Sequence, residues 1–448
     1  MASWYCMLIG EELIDKMRKC DISWGYIDGF IKGDVLGAFS VDLGTGDMEP
    51  CLASLKVSKH RLCNNNYKDK LAYWVKVKKG LIKKIKNWDM LFEELTQWLP
   101  EDLFEMIQES KAEYLLFVEE DSKEILLAFF LELKGKKLIL PGEVQALEEK
   151  PNPFKRIDGL VPLEEMKEKS IVIVGLGSGG SSIAMELAAA GVGTLHLFDK
   201  DRLNSVNLFR HICGVRDLGR KKIDAVEDVI KEHSLPTSIK KCENDIMSYP
   251  EKLVEAVQCS DIVICATDNP ESRAMVNYIC VKFSKPLILV CTFDNAKIGE
   301  IIRVTPNKAA CYECTRIHLK EQGALIEDND TREGILPYSS QVENSNGNSR
   351  GTRTDVFIVA AMAAKVALMT IKDDPDNGFG KLPYNYIAWG AVRNIEFIEP
   401  YKFRQPFGTN YCNYNIHPEC PICGSLAEEI RNINIEDKYN EIIQKLSV

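Results

Sequence analysis

The chain has 448 residues, 45% of them hydrophobic and 27% charged, which is enough for two or three globular domains, each with its own core. The formal net charge of −10 argues against bulk binding of nucleic acid or of an anionic membrane, and the sequence predicts no apolar run long enough to span a bilayer. The N-terminus turns acidic without a preceding basic segment, so no secretory signal is predicted. The 15 cysteines therefore indicate reduced thiols, metal ligation or catalysis in a cytoplasmic protein.

The first part of the chain carries no motif that points to a particular chemistry. Alternation and helical spacing predict a separate α+β domain, whose position suggests recruitment of a carrier or partner. Its predicted elements are strands at 24–27 and 112–117, helices at 87–99 and 101–111, and a hairpin over 124–140.

Proline and glycine mark the end of this domain, at Pro141-Gly142 and again at Pro151-Asn152-Pro153. The predicted organisation is an N-terminal domain at 1–142, a linker at 143–155, a second domain at 156–424 and a helical tail at 425–448.

The second domain begins with a strand, a glycine turn and a helix. In the stretch GLGSGG, Gly175 permits a tight turn and Gly177 lets backbone N–H groups approach a phosphate. Gly180 lets the helix pack close to the sheet. The next apolar strand stops at Asp199, where a carboxylate can accept hydrogen bonds from a ribose. This order predicts a nucleotide site.

Strands and helices then alternate, which predicts an α/β fold with a doubly wound, mostly parallel Rossmann-like sheet. Ligands of such sheets lie at the carboxyl ends of the strands, so Gly175, Asp199 and Asp268 are expected to converge on one crevice. A later helix at 355–370 is apolar on most faces and is predicted to be buried. The predicted strands are 171–174, 194–198, 237–242, 261–266 and 286–291, and the helices between them are 182–190, 223–232, 251–257 and 271–283.

Polar side chains follow the glycine loop at Asn207, Arg210 and Lys222. A nicotinamide-dependent dehydrogenase needs an acid for the ribose but has little use for this much positive charge near phosphate. An enzyme that cleaves ATP between the α- and β-phosphates does need it, because negative charge builds on the phosphoryl oxygens in the transition state. Asp268 can then hold Mg²⁺.

Residues 156–315 resemble the ThiF/MoeB/ubiquitin-activating superfamily of adenylating enzymes. The resemblance rests on GLGSGG, LFDKD, NLFRH, GRKK, ATDN and CYEC, which occur in family order. It implies that Arg156 reaches the phosphates of a partner subunit, and hence a homodimer. The other implied roles are ribose binding for Asp199, triphosphate binding for Asn207, Arg210 and Lys222, and Mg²⁺ binding for Asp268.

Two CxxC pairs, Cys311 with Cys314 and Cys420 with Cys423, can each occupy one side of a tetrahedral thiolate site. The gap between them is longer than in a compact zinc ribbon but is similar to the split zinc site of the superfamily. We therefore expect a structural Zn²⁺ that holds the C-terminal segment against the sheet. Two unrelated pairs of buried thiols are the alternative.

The span 315–354 lacks the nucleophilic cysteine that many superfamily members carry between the first CxxC pair and the next helix. A hydroxyl or an amide is a poor substitute for a thiolate at neutral pH. Either the enzyme stops at the acyl-adenylate, or the thiol has been removed, or a cysteine elsewhere serves. Cys291 and Cys412 are the candidates, each with a buried structural thiol as the alternative.

The resemblance predicts an enzyme that adenylates the C-terminal carboxylate of a ubiquitin-like or sulfur-carrier-like small protein and releases pyrophosphate. The large N-terminal domain favours a bacterial ubiquitin-like conjugation system with a downstream conjugating enzyme. The missing loop thiol favours adenylation of a peptide or a tRNA base instead. A scaffold that has lost its chemistry is disfavoured by the retained Arg210, Lys222 and Asp268.

Overall fold

The structure, a computed structural model, divides into two compact units, residues 1–152 and 153–448. It describes residues 6–50, 67–86, 90–109, 113–133, 136–147, 152–233, 235–293, 295–326, 351–371 and 380–432.

The N-terminal unit is built on one sheet that closes on itself. Its strands are β1 (Cys6–Gly10), β2 (Trp24–Lys32), β3 (Val35–Asp42), β4 (Met48–Pro50), β5 (Tyr67–Val77), β6 (Met90–Leu91), β7 (Tyr114–Glu119), β8 (Ile125–Leu133) and β9 (Lys136–Leu147). β1 pairs in parallel with both β3 and β9. The described strands therefore form a closed circuit in the order β1, β3, β2, β5, β7, β8, β9, with β4 beside β3 and β6 beside β9.

Both faces of β7 are buried. In β7, Leu116 and Val118 lie in one apolar cluster while Leu115 and Phe117 lie in the other, because successive side chains of a strand point to opposite faces. The helices of this unit are α1 (Glu11–Lys19), which contributes to the first cluster, and α2 (Leu81–Lys86) and α3 (Glu101–Glu109), which contribute to the second.

Most of the elements predicted in this unit are present. The strand predicted at 24–27 is confirmed, as are residues 114–117 of the strand predicted at 112–117, residues 101–109 of the helix predicted at 101–111, and the hairpin of β8 and β9. Residues 110–112 and the hairpin turn at 134–135 lie outside the described residues. The helix predicted at 87–99 is wrong over the described residues 90–99, and 87–89 lie outside the described part of the chain. Met90–Leu91 pairs with β9 and a 3₁₀ helix follows at Phe92–Gln97, so strand pairing overrides local helix propensity.

The predicted linker at 143–155 is wrong at its start. Pro141-Gly142 lies within β9, whose residues 143–147 pair with β1, so the chain is still part of the sheet there. The boundary between the two compact units falls instead between Asn152 and Pro153.

The second unit contains an eight-stranded mixed sheet. β10 (Ser170–Val174), β11 (Thr194–Phe198), β12 (Ser238–Cys242), β13 (Ile262–Cys265) and β14 (Leu287–Phe293) pair in parallel in the order β12, β11, β10, β13, β14. β15 (Ile298–Val304), β16 (Tyr386–Gly390) and β17 (Gly408–Cys412) continue it in antiparallel pairs and were not predicted. The strand order reverses beside β10, so a crevice at its carboxyl end is expected.

Helices connect the parallel strands at the predicted places. The helices of this unit are α4 (Leu163–Lys167), α5 (Ser178–Ala189), α6 (Lys222–Glu232), α7 (Pro250–Gln258), α8 (Pro270–Lys282), α9 (Tyr312–Glu321), α10 (Arg353–Ile371) and α11 (Ser425–Asn432). α11 begins the predicted helical tail, whose residues from 433 onward lie outside the described part of the chain.

In the described part of the chain, α10 is the one helix that by length and composition could cross a membrane. The sequence analysis predicted no apolar run of this length, and by length and composition that prediction is wrong for α10. Charged residues such as Lys365 are few in its apolar sequence. Half of the apolar stretch is buried, with α5, β14 and β15 packed against the helix. The predicted burial is confirmed for that half, which includes Val359, Ala363 and Ala367.

Candidate functional site

The carboxyl ends of β10, β11, β13 and β14 open into a cleft of about 530 Å³. Gly180 lies behind this cleft in α5, and Arg156 is exposed and is not part of its wall. The other residues predicted for nucleotide binding line the cleft together: Gly175, Gly177, Asp199, Asn207, Arg210, Lys222 and Asp268.

Glycine is favoured at each of the three positions for a different structural reason. Gly175 has φ +90°, and a Cβ there would lie 2.9 Å from the carbonyl oxygen of Ala266. A Cβ on Gly180 would lie 1.9 Å from the carbonyl oxygen of Gly175, so only glycine lets α5 pack this close to the sheet. A Cβ on Gly177 would meet nothing within 4 Å, so the space beside Gly177 is open to a ligand.

We expect Gly180→Ala and Gly177→Ala to separate packing from binding. Gly180→Ala should lower the free energy of unfolding by about 1–3 kcal/mol or more, because it forces an overpacked contact. Gly177→Ala should leave the unfolding midpoint unchanged and weaken ATP binding about tenfold or more, because its methyl group occupies the cleft. Thermal unfolding and calorimetric ATP titration of both variants check this. If the two variants changed the unfolding midpoint equally and the ATP affinity equally, this prediction would be contradicted.

The glycine loop is held at Leu176 from both sides. The Leu176 N–H donates to Asp199 Oδ2 at 2.7 Å, and the Leu176 carbonyl oxygen lies 2.8 Å from Nε2 of the buried His211. His211 Nδ1 accepts from the Cys213 N–H at 3.1 Å, which assigns the proton to Nε2. His211 therefore positions the loop, a role that its place in NLFRH did not reveal.

We expect the protein to be less stable in acid because of His211. Burial lowers the pKa of His211, so near and below pH 6.5 the unfolded chain takes up a proton that the folded chain does not. The free energy of unfolding should therefore fall as the pH decreases through about 6.5. His211→Gln, which can still donate to Leu176, should show a smaller fall in denaturant titrations between pH 8 and pH 5.5. Burial also lowers the pKa of His196, so some pH dependence should remain. An unchanged pH dependence in the variant would contradict the assignment.

A lysine–aspartate cluster closes one side of the cleft. Lys222, only 10% exposed, lies 2.9 Å from Asp201 Oδ2 and 3.8 Å from Asp199 Oδ1. Burial raises the pKa of Asp199, and the Lys222 ammonium opposes that rise. Arg210 is 6% exposed, with its guanidinium 5.1 Å from the Phe209 ring centroid. These buried cations can compensate the charge of a triphosphate.

Asp268 lines the same cleft three residues beyond β13, and it is exposed. The next residue, Asn269, caps α8 by accepting from the Ser272 N–H at 3.0 Å. Arg273 also lines the cleft, and its Nε and Nη2 donate to the Thr267 carbonyl oxygen at 2.9 and 2.8 Å. Sequence reasoning missed Arg273, whose position on the first turn of a helix beside Asp268 was the available signal.

The two CxxC pairs meet. The Sγ–Sγ distances are 3.8 Å for Cys311–Cys314, 3.6 Å for Cys311–Cys420, 3.3 Å for Cys314–Cys423 and 3.8 Å for Cys420–Cys423. Four thiolates around Zn²⁺ with Zn–S bonds of about 2.3 Å would lie about 3.8 Å apart, so the donor set and its spacing fit. The cluster joins the start of α9 to the segment before α11.

The two candidate thiols differ in position. Cys291 lies in β14 and lines the cleft, and its Sγ donates to Glu300 Oε2 at 3.4 Å. Cys412 ends β17 and does not line the cleft, and burial raises the pKa of its thiol. Of the two, only Cys291 lines the cleft.

The glycine turn, the helix N-terminus and the converging polar side chains at a sheet switch point define a nucleotide-binding α/β domain. Residues 151–397 match the ThiF family, and the chain belongs to it. Its homologues are adenylyltransferases of the ThiF/MoeB/E1-like superfamily, which confirms the expected superfamily.

The similarity to individual proteins is partial. The maize adenylyltransferase and sulfurtransferase MOCS3-1 is 32% identical over 157 residues, which are 35% of this chain and 33% of the relative. Ubiquitin-like modifier-activating enzyme 5 from Bombyx mori is 26% identical over 232 residues, which are 46% of this chain and 59% of the relative. A crystal structure of E. coli MccB with MccA-N7isoASN has a TM-score of 0.47 at 20% identity, covering 61% of this chain and 76% of that one. The chain thus spans a third to three fifths of the length of these two curated relatives.

Proposed function

We propose that this protein binds ATP with Mg²⁺ and adenylates the C-terminal carboxylate of a small ubiquitin-like protein, as the activating step of a bacterial conjugation system. One observation carries the proposal. A single cleft is lined by the N-terminus of α5, by the buried cations Arg210 and Lys222, and by the exposed Asp268. This arrangement suits a triphosphate better than a dinucleotide.

The chemistry needs no general base, because a C-terminal carboxylate is already ionised at neutral pH. One carboxylate oxygen attacks the α-phosphorus, the bond to the β-phosphate oxygen breaks, and pyrophosphate leaves. Lys222 and Arg210 offset the charge on the phosphoryl oxygens, and the free N–H groups of the first turn of α5 bind phosphate. Mg²⁺ held by Asp268 would neutralise further phosphate charge.

Arg156 fits a role across subunits. It is exposed and lies outside the cleft of its own chain, as expected for a side chain that serves a neighbouring copy. The proposal therefore includes a homodimer in which Arg156 reaches the partner's triphosphate. The Cys₄ cluster is proposed to hold structural Zn²⁺ without a part in the reaction.

ATP–pyrophosphate exchange tests the adenylation step. The probes are ubiquitin-like proteins ending in Gly-Gly, each compared with the same protein bearing a C-terminal amide. Exchange is expected with the free carboxylate, absent with the amide, and lost in Asp268→Asn. Exchange that ignores the carboxylate or the aspartate would contradict the proposal.

A peptide acceptor without a thioester step is the second candidate, because no cysteine occurs in 315–354. The net charge of −10 disfavours the tRNA base that was the other alternative. A non-reducing gel after the exchange reaction separates the two routes. A thiol-sensitive adduct favours transfer to a cysteine, whereas exchange without an adduct favours an enzyme that stops at the acyl-adenylate.

A further inference from the structure

A smaller cavity of about 60 Å³ adjoins the nucleotide cleft between β14, β15 and α9, and is named here the side cavity. Its inner wall includes Glu300, Tyr312 and Arg316. The side cavity shares Asp268 and Arg273 with the cleft. A group bound inside it therefore lies next to Asp268 and to the cleft.

The carboxylate of Glu300 in the inner wall already accepts hydrogen bonds from other side chains of the protein. Glu300 Oε1 accepts from the hydroxyls of Tyr386 and Tyr401, the second at 2.8 Å. Glu300 Oε2 accepts from the Cys291 thiol at 3.4 Å. Tyr386 and Tyr401 are 0% and 3% exposed, so this network is fixed inside the fold. Glu300 thus shapes the wall, and its charge acts on Arg273 and Arg316 only from beyond ion-pair distance.

The two arginines of the side cavity have no carboxylate within ion-pair distance among the described residues. Two N–H groups of Arg273 donate to the Thr267 carbonyl oxygen. Arg316 Nη1 lies 3.5 Å from the Tyr312 hydroxyl, at the outer limit of a hydrogen bond. Within the part of the chain that the structure describes, no ion pair joins either arginine to a carboxylate. Two guanidinium groups thus share the side cavity with the engaged Glu300 and with Asp268, the carboxylate proposed to hold Mg²⁺. A partly buried cation is costly without a close anionic partner.

The size and walls of the side cavity define the anion. Its volume of about 60 Å³ admits only a small group, and a carboxylate is a group of that kind. Phe293, Leu319 and Ile326 provide apolar walls that limit access of water and so strengthen a charge-assisted hydrogen bond.

We propose that the side cavity is the subsite for the acyl substrate's C-terminal carboxylate, and that Arg316 contacts this carboxylate before adenylation. The inference rests on the proposed function and deepens it. A carboxylate and the α-phosphate of ATP repel each other, and the guanidinium groups of Arg316 and Arg273 offset this repulsion where the two must meet. Arg316 thus selects for a free carboxylate at the end of the substrate.

Kinetics of Arg316→Gln test the contact, with Lys320→Gln as the matched control. Lys320 lies on the same helix, is exposed, and loses the same charge. In pyrophosphate exchange with a Gly-Gly-ended ubiquitin-like protein, Arg316→Gln should raise the KM for the protein about 10- to 100-fold. The KM for ATP should stay unchanged, Arg316→Lys should recover part of the loss, and Lys320→Gln should behave as wild type. Equal KM values in Arg316→Gln and Lys320→Gln would overturn the proposal.

A second measurement needs neither ATP nor the natural substrate. Cys291 lines both cavities, so its alkylation by iodoacetamide reports occupancy of their junction. N-Acetylglycine should slow this alkylation several-fold and raise the unfolding midpoint in the wild type, whereas N-acetylglycinamide should do neither. Arg316→Gln should abolish the difference between the two compounds.

The two proposals fail in different ways. Equal effects of the acid and the amide, or protection that persists in Arg316→Gln, would overturn the carboxylate subsite. Absence of exchange with every substrate, alongside intact protection by N-acetylglycine, would count against adenylation while the subsite stands.

Discussion

Lys222→Ala is expected to reduce ATP–pyrophosphate exchange about 100- to 1,000-fold, the loss typical of removing one preorganised donor from a transition state. Lys222 is the buried cation of the cleft that also lies near both Asp199 and Asp201. Its removal takes positive charge from the triphosphate and leaves the buried Asp199 carboxylate without its counterion. The pKa of Asp199 should then rise further, which weakens its hydrogen bonds to a ribose.

Lys221→Ala is the matched control. Lys221 is adjacent in sequence, pairs with the exposed Glu243 at 3.1 Å, and does not line the cleft. Exchange by Lys221→Ala should stay within about twofold of wild type, because an exposed ion pair contributes little. Similar losses in both lysine variants would show that the segment is needed for folding rather than for catalysis, and would contradict the role given to Lys222.

Cys314→Ser is expected to have the largest effect on stability, a loss of more than about 4 kcal/mol in the free energy of unfolding. Cys314 is fully buried, and its thiol also accepts from the His417 N–H at 3.3 Å. Loss of the metal would release the segment that carries Cys420 and Cys423 from the start of α9. Zinc content should fall from about one per chain to near zero.

Cys259→Ser provides the comparison for this variant. Cys259 is an exposed thiol at the end of α7 and takes no part in the Cys₄ cluster. Its zinc content and unfolding midpoint should match those of the wild type, and a chelator should lower the midpoint of both proteins. A wild-type protein that contains no zinc and ignores the chelator would contradict the metal site.

The sequence predicted what is determined locally. The β-branched run before Gly175 and the apolar strand before Asp199 are both bounded by turns, and both strands occur where expected. The carboxyl ends of parallel strands then bring Gly175, Asp199 and Asp268 together without further information.

Long-range contacts escaped prediction. Pairing of β1 with β9 joins the two ends of the N-terminal unit, and no local pattern encodes it. The contacts of Glu300 with Tyr386 and Tyr401 likewise join residues 86 and 101 positions apart in the sequence, so the side cavity could not be predicted from any single segment. The helix predicted at 87–99 failed for a related reason, because pairing of Met90–Leu91 with β9 prevails over local spacing.

Calorimetric titration of the full chain with ATP and Mg²⁺ tests the central claim most directly, because it needs no acyl substrate. We predict saturable binding of about one ATP per chain, at least tenfold weaker in Lys222→Ala, unchanged in Lys221→Ala and much weaker for NAD⁺. Absence of ATP binding, equal affinity in the two lysine variants, or tighter binding of NAD⁺ would contradict the account.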